Sequence, residues 1–218
     1  MGASQVEIYN LALGNLGDKT VSLPNENSPQ ALALTRAWDS ARRETLSANQ
    51  WSFANVIESL AELANYTVPP GWVYAYQFPA KSVRIWKVLN QYSIGVATDY
   101  STGLSYPTSN TPASKVGEDF RVVFDPTLNS KVILSNTPNA YAEYSYDVLD
   151  TTLYDPSFVS ALSYRLAAAV AMTLTGDQKL ASNMMTIFNN YFSDSQRLAS
   201  YERQINVKGS GSILDSRA

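Results

Sequence analysis

Asp147, Asp150 and Asp155 form the densest acidic cluster in the chain, and they hold most of the chemistry it could perform. The sequence has no His and no Cys. That removes the Ser-His-Asp triad, the His general base, the Cys nucleophile, the Cys-based zinc site and any disulfide framework. Catalysis would have to run on carboxylates, Lys, Ser or Tyr. Two carboxylates can cleave a glycosidic bond, but only at a set separation, which a sequence does not give. Two of the three also have structural uses. Asp155 precedes Pro156 and reads as a helix N-cap, and Asp150 falls in the turn before it. Asp147 reads as a residue on the water-facing side of a strand. Glu118-Asp119 opens another strand at a loop edge and reads as a solvated pair. No residue is assigned a catalytic, metal-binding or cofactor-binding role, and no cofactor is expected.

The cations are scattered. Lys81, Arg84 and Lys87 come nearest to a stripe, but strand alternation puts Lys81 and Lys87 on one face and Arg84 on the other. Gly209-Ser210-Gly211 lacks the preceding strand, the Lys and the following helix of a phosphate-binding loop. Charged residues are 16% of the 218, against about 25% in an average soluble domain, and the net charge is −3. A DNA reader needs a concentrated basic face, which is missing. The 14 Tyr and the thin charge suit either β-structure or a surface that other subunits cover.

The elements that would hold these residues are legible from caps and periodicity. Ser4-Gln5-Val6-Glu7 is a capping box, followed by Ile8, Leu11, Ala12 and Leu16 at helical spacing and by Gly17 as a left-handed stop. Ser28-Pro29 starts a second helix, with Ala31, Leu34, Trp38, Ala41, Thr45 and Ala48 on one side, running to about Asn49. From Trp51 to Asp150 short Val-, Tyr- and Thr-rich runs alternate with turn signals, as strands do. Candidates are Tyr74 to Phe78, Ser82 to Leu89, a hairpin of Phe120 to Phe124 with Lys131 to Leu134, and Ala140 to Val148. Phe53 to Leu63 reads as helix by composition and strand by position. Thr98 to Gly117, rich in Ser, Thr and Pro, reads as a long loop at a lobe tip. Asp155-Pro156 begins a third helix with Phe158, Leu162 and Leu166 buried. Its apolar run, Phe158 to Thr175, contains Arg165 and reads as a buried helix, not a membrane span. Thr175-Gly176-Asp177 ends it and caps a fourth, with Leu180, Met184, Ile187, Tyr191 and Leu198, reaching about Tyr201. The last two helices make an antiparallel hairpin. Beyond Tyr201, Gly-Ser-rich sequence with Ile205, Val207, Ile213 and Leu214 reads as an extended arm or a disordered terminus.

The expected fold is α+β. Residues 1–50 and 151–203 supply an antiparallel helical bundle, 51–150 an inserted β-rich lobe, and 204–218 the arm. Its bundle core is expected to hold Leu11, Leu34, Trp38, Leu162, Leu166, Met184, Ile187 and Tyr191.

The order of these pieces resembles the head-to-tail adaptor family of short-tailed bacteriophages, often called tail tubular protein A, over about residues 5–203. The likeness rests on Ile8-Tyr9-Asn10-Leu11-Ala12-Leu13 with Leu16-Gly17, on Trp38 with Ala41-Arg42-Arg43-Glu44, and on Trp51-Ser52-Phe53-Ala54. It continues through Pro70 to Ala80 with Val83-Arg84, Tyr154-Asp155-Pro156-Ser157-Phe158 with Ala161-Leu162, Leu166-Ala167-Ala168, and Leu174-Thr175-Gly176-Asp177. The Ser/Thr-rich loop is a departure. The resemblance favours a strand for Phe53 to Leu63.

What the resemblance implies is structural work in a virion, made in the bacterial host cytoplasm and placed at the portal vertex. Such subunits form a ring, usually twelve-fold, beneath the portal protein. The ring continues the DNA channel and carries the tail nozzle, with fibres or spikes as further partners and no membrane. The helices build the ring, and the arm, through Ile205, Val207, Ile213 and Leu214, reaches the portal. Twelve copies would carry a formal charge of about −36, and a channel without a basic lining lets DNA slide. Two other readings stand beside this one: a tail-associated, carboxylate-dependent cell-wall hydrolase, and a neck or adaptor protein of a long-tailed phage.

Overall fold

The computed structural model describes residues 2–90, 96–98, 105–107 and 117–203. The arm residues Ile205, Val207, Ile213 and Leu214, and most of the 98–117 loop, lie outside them. The fold is mixed α+β, with four α-helices and antiparallel sheets among the described residues.

Helix α1 spans Gln5–Leu16 and α2 spans Pro29–Ala48. The Ser4 hydroxyl accepts from the Glu7 amide at 3.3 Å, and Glu7 Oε2 accepts from the Ser4 amide at 2.6 Å, closing the box. Gly17 ends α1 at φ 69°, a conformation that costs a side-chain-bearing residue energy and glycine almost none. Ser28 caps α2 through the Ala31 amide at 3.2 Å, with Pro29 in the first turn where its missing N–H is not needed. Helix α3 spans Pro156–Thr175 and α4 spans Gln178–Arg203. Gly176, at φ 68°, stops α3, and Asp177 Oδ1 accepts the Lys179 and Leu180 amides. Only two residues, Gly176 and Asp177, separate α3 from α4.

Helix α3 is the centre of the helical part. Phe158, Leu162, Leu166 and Val170 on α3, Ile8 and Leu13 on α1, Leu34 and Leu46 on α2, and Met184, Phe188 and Phe192 on α4 belong to one buried cluster. Each such side chain contributes about 1.5–3 kcal/mol of transfer free energy. By length and composition α3 could cross a membrane, and half of its most apolar window is buried against the rest of the protein.

Among the described residues eight strands follow α2. Strand β1 is Asn55–Ser59, β2 Tyr74–Gln77, β3 Ser82–Leu89, β4 Val96–Thr98, β5 Ser105–Pro107, β6 Phe120–Asp125, β7 Ser130–Ser135 and β8 Tyr141–Tyr146. Phe53 to Leu63 therefore divides: Ser52–Ala54 is one 3-10 turn, and the strand begins only at Asn55. The sheets are ordered β1-β8-β3 and β2-β7-β6, with β4-β5 a separate pair. Two single bridges, Glu62 to Tyr76 and Val88 to Glu118, join the three-stranded sheets at both margins. The six strands thus close into a circuit. Leu60, Tyr76, Ile85, Val88, Ile133, Ala142 and Tyr144 fill it, with Phe120 packed alongside. The β6–β7 turn is built by Asp125, whose Oδ1 accepts the Thr127 and Leu128 amides, and by Asn129 at φ 47°.

Alternation along β8 is as expected, with Ala142 and Tyr144 inside the circuit. Strand β3 departs from simple alternation. Register shifts place both Arg84 and Lys87 opposite residues of one β8 face, Ser145 and Glu143. An extra residue in a strand flips everything after it, so the two cations share a face after all.

Candidate interaction surfaces

The three aspartates do not converge on a common task. Asp147 faces α2, not water. The Arg42 guanidinium, only 2% exposed, donates through Nη1 to Asp147 Oδ1 and, at 2.9 Å, to the Val148 carbonyl, while Arg43 Nε stands 3.5 Å from Asp147 Oδ2. Tyr154 donates to the same carbonyl at 2.9 Å. Its phenol is pushed up to about 12, because burial disfavours the phenolate more than the nearby Arg42 favours it. Asp150 accepts from the Thr152 hydroxyl and amide, which hold its carboxyl below the ordinary range. Asp155 makes no capping hydrogen bond; its Oδ2 accepts from Ser52 at 3.1 Å. Glu118 accepts from Asn90 at 2.8 Å. Among the described residues no group of three or more acidic side chains is placed to hold a metal.

The cations are also committed. Glu143 takes hydrogen bonds from Gln50 and from Asn55, with Lys87 Nζ 3.9 Å away. Arg84 donates to the Ser47 carbonyl at the end of α2 and lies 4.3 Å over the Trp86 ring, whose indole N–H donates to Ser145. These contacts tie the β1-β8-β3 sheet to α2. Sequence reasoning missed them because all but the Arg84–Trp86 stacking join residues far apart in the chain.

Of the expected core residues, Leu34, Leu162, Leu166 and Met184 are buried, and Trp38 and Tyr191 are half-buried against the same cluster. Trp38 packs edge-on to Tyr9 with ring centroids 5.5 Å apart. Leu11 and Ile187 are corrections: they are 49% and 38% exposed. The buried stripe of α1 runs through Ile8, Tyr9, Ala12, Leu13 and Leu16. At about 100° per residue Leu11 falls roughly 130° from its centre. Ile187 similarly lies to one side of the Met184, Phe188 and Phe192 stripe of α4.

Leu11 opens onto a groove of about 940 Å³ between α1 and the start of α3. Leu11, Leu153, Val159 and Pro156 give it an apolar lining, and Glu7 and Asp155 are its charged residues. Leu153 is 56% exposed. At one end Gly2 lies so close to Thr152 that an added Cβ would stand 2.0 Å from the Thr152 oxygen. A second groove, about 440 Å³, lies between the first half of α2 and the end of α3. Leu32, Ala33, Ala37 and Val170 line it, and Arg36 is its one charged lining residue. Leu32 is 47% exposed. Ser160 lines the first groove and Ala169 the second. The first groove therefore opens at the start of α3 and the second at its end.

No protein-family model matches this chain, and no curated protein matches it.

Proposed function

We propose that the protein is a structural subunit of a head-to-tail adaptor ring in a short-tailed phage. On this reading the four helices act as an antiparallel bundle that builds the ring, and the strands act as a lobe inserted in it. The ring docks under the portal, continues the DNA channel, and carries the nozzle and fibres. The observation that carries the proposal is the pair of uncovered apolar grooves at the two ends of α3. A ring contact is heterologous: one surface of each copy meets a different surface of the next, so every subunit needs two such faces. The low charge fraction supports the same reading. So does the engagement of the three aspartates with Arg42, Thr152 and Ser52, which gives each a structural use in place of the hydrolase's acid pair.

The test is to concentrate the purified protein, alone and with a short-tailed phage portal ring, and to image it by electron microscopy. Closed rings, or a second ring stacked on the portal, are expected. Monomers under both conditions overturn the proposal.

A further inference from the structure

We infer that the two grooves are the two halves of one contact between copies of this chain. The α2/α3 face of one copy, with Leu32 and Arg36, seats on the α1/α3 groove of the next, with Glu7, Leu11, Leu153 and Asp155. This rests on the ring reading and specifies which surfaces meet.

Three observations choose a second copy as the occupant. The first is charge. Glu7 and Asp155 are the charged residues of the larger groove, and Arg36 is the charged residue of the smaller one. The described bonds of the two carboxylates use Glu7 Oε2 and Asp155 Oδ2, which leaves Oε1 and Oδ1 to accept. Arg36 is exposed and makes no hydrogen bond or ion pair with a described residue. The second is apolar match. Each face carries large apolar side chains about half exposed, Leu11 and Leu153 on one and Leu32 on the other. The third is placement. The grooves lie at different ends of α3, so pairing one with the other joins two unlike surfaces, the kind of contact that can propagate head to tail.

The absence of cysteine permits a clean test. Leu32→Cys and Leu153→Cys are made in separate full-length chains and mixed under a mild oxidant. Disulfide between the two variants is expected, with neither variant cross-linking to itself. Separately, Arg36→Glu and Asp155→Lys are each expected to weaken self-association by about tenfold or more in sedimentation, with the double reversal in one chain restoring most of it. Since Arg36 is exposed, R36E and the milder R36Q should melt as the parent does, so lost association is not lost folding. Charge reversals without effect, or L32C pairing with itself, overturn the inference. If micrographs then still show closed rings, the ring reading stands with other contacts. If they show none, with portal or without, that reading fails as well.

Discussion

Removing the Asp147 carboxylate should be among the costliest single changes in the protein. Arg42 is buried, and Asp147 is its closest charged partner. Asp147→Ala would leave the guanidinium with the Val148 carbonyl and with Asp39, an 81% exposed carboxylate 3.6 Å away. Breaking a buried pair by removing one partner costs about 3–5 kcal/mol, since the remaining charge stays desolvated. Asp147 is itself 23% exposed, so water can reach part of the vacated space and the lower figure applies. About 3 kcal/mol in a chain of this size lowers Tm by about 6–12 °C. Urea denaturation gives the free energy directly, and m should not change. The double variant Arg42→Met with Asp147→Leu should recover most of the loss, because no charge is then buried. The Val148 carbonyl would still accept from Tyr154. The reasoning is refuted if Asp147→Ala costs under about 1 kcal/mol, or if the double variant is as unstable as the single one.

Leu162→Ala, in the middle of the helical core, should cost about 2–5 kcal/mol by denaturant titration, whereas Leu11→Ser on the same cluster's outer side should leave stability within about 0.5 kcal/mol and instead weaken self-association. Tyr154 and Tyr144 should ionise near 12 in ultraviolet titration, both mainly through burial. Their folded-state values lie above the ordinary 10, so stability should hold up to pH 10 and fall between 10 and 12, and Tyr154→Phe should lessen that fall. Deleting residues 204–218 should leave the melting temperature unchanged and abolish binding to the portal ring in a pull-down; undiminished binding would remove the arm from the docking role.

Much of the architecture was written locally. Ser4 with Glu7, Ser28 with Pro29, and Gly176 with Asp177 each mark a helix end by chemistry that acts over three or four residues, and each end falls where that chemistry places it. The β6–β7 hairpin followed from Asp125 and Asn129 in the same way. What was not legible needed partners distant in sequence. Asp147 looked solvated because Arg42 is 105 positions away. The β3 register shifts, which put Arg84 and Lys87 on one face, depend on the β8 backbone they pair with. Leu11 fits a helical repeat with Ile8, yet the stripe through Tyr9 and Leu13 is the one that α3 covers; periodicity cannot rank two overlapping stripes on so apolar a helix. The grooves were illegible for the same reason, since each is made by two helices.

The β-circuit closes at one margin through a single bridge, Val88 to Glu118, braced by Asn90 donating to Glu118. The chain leaves β3 one residue past this bridge and enters β6 two residues after Glu118. Lengthening the connection between the two strands adds only about 0.6 kcal/mol for each doubling, so this junction tolerates a change of chain length.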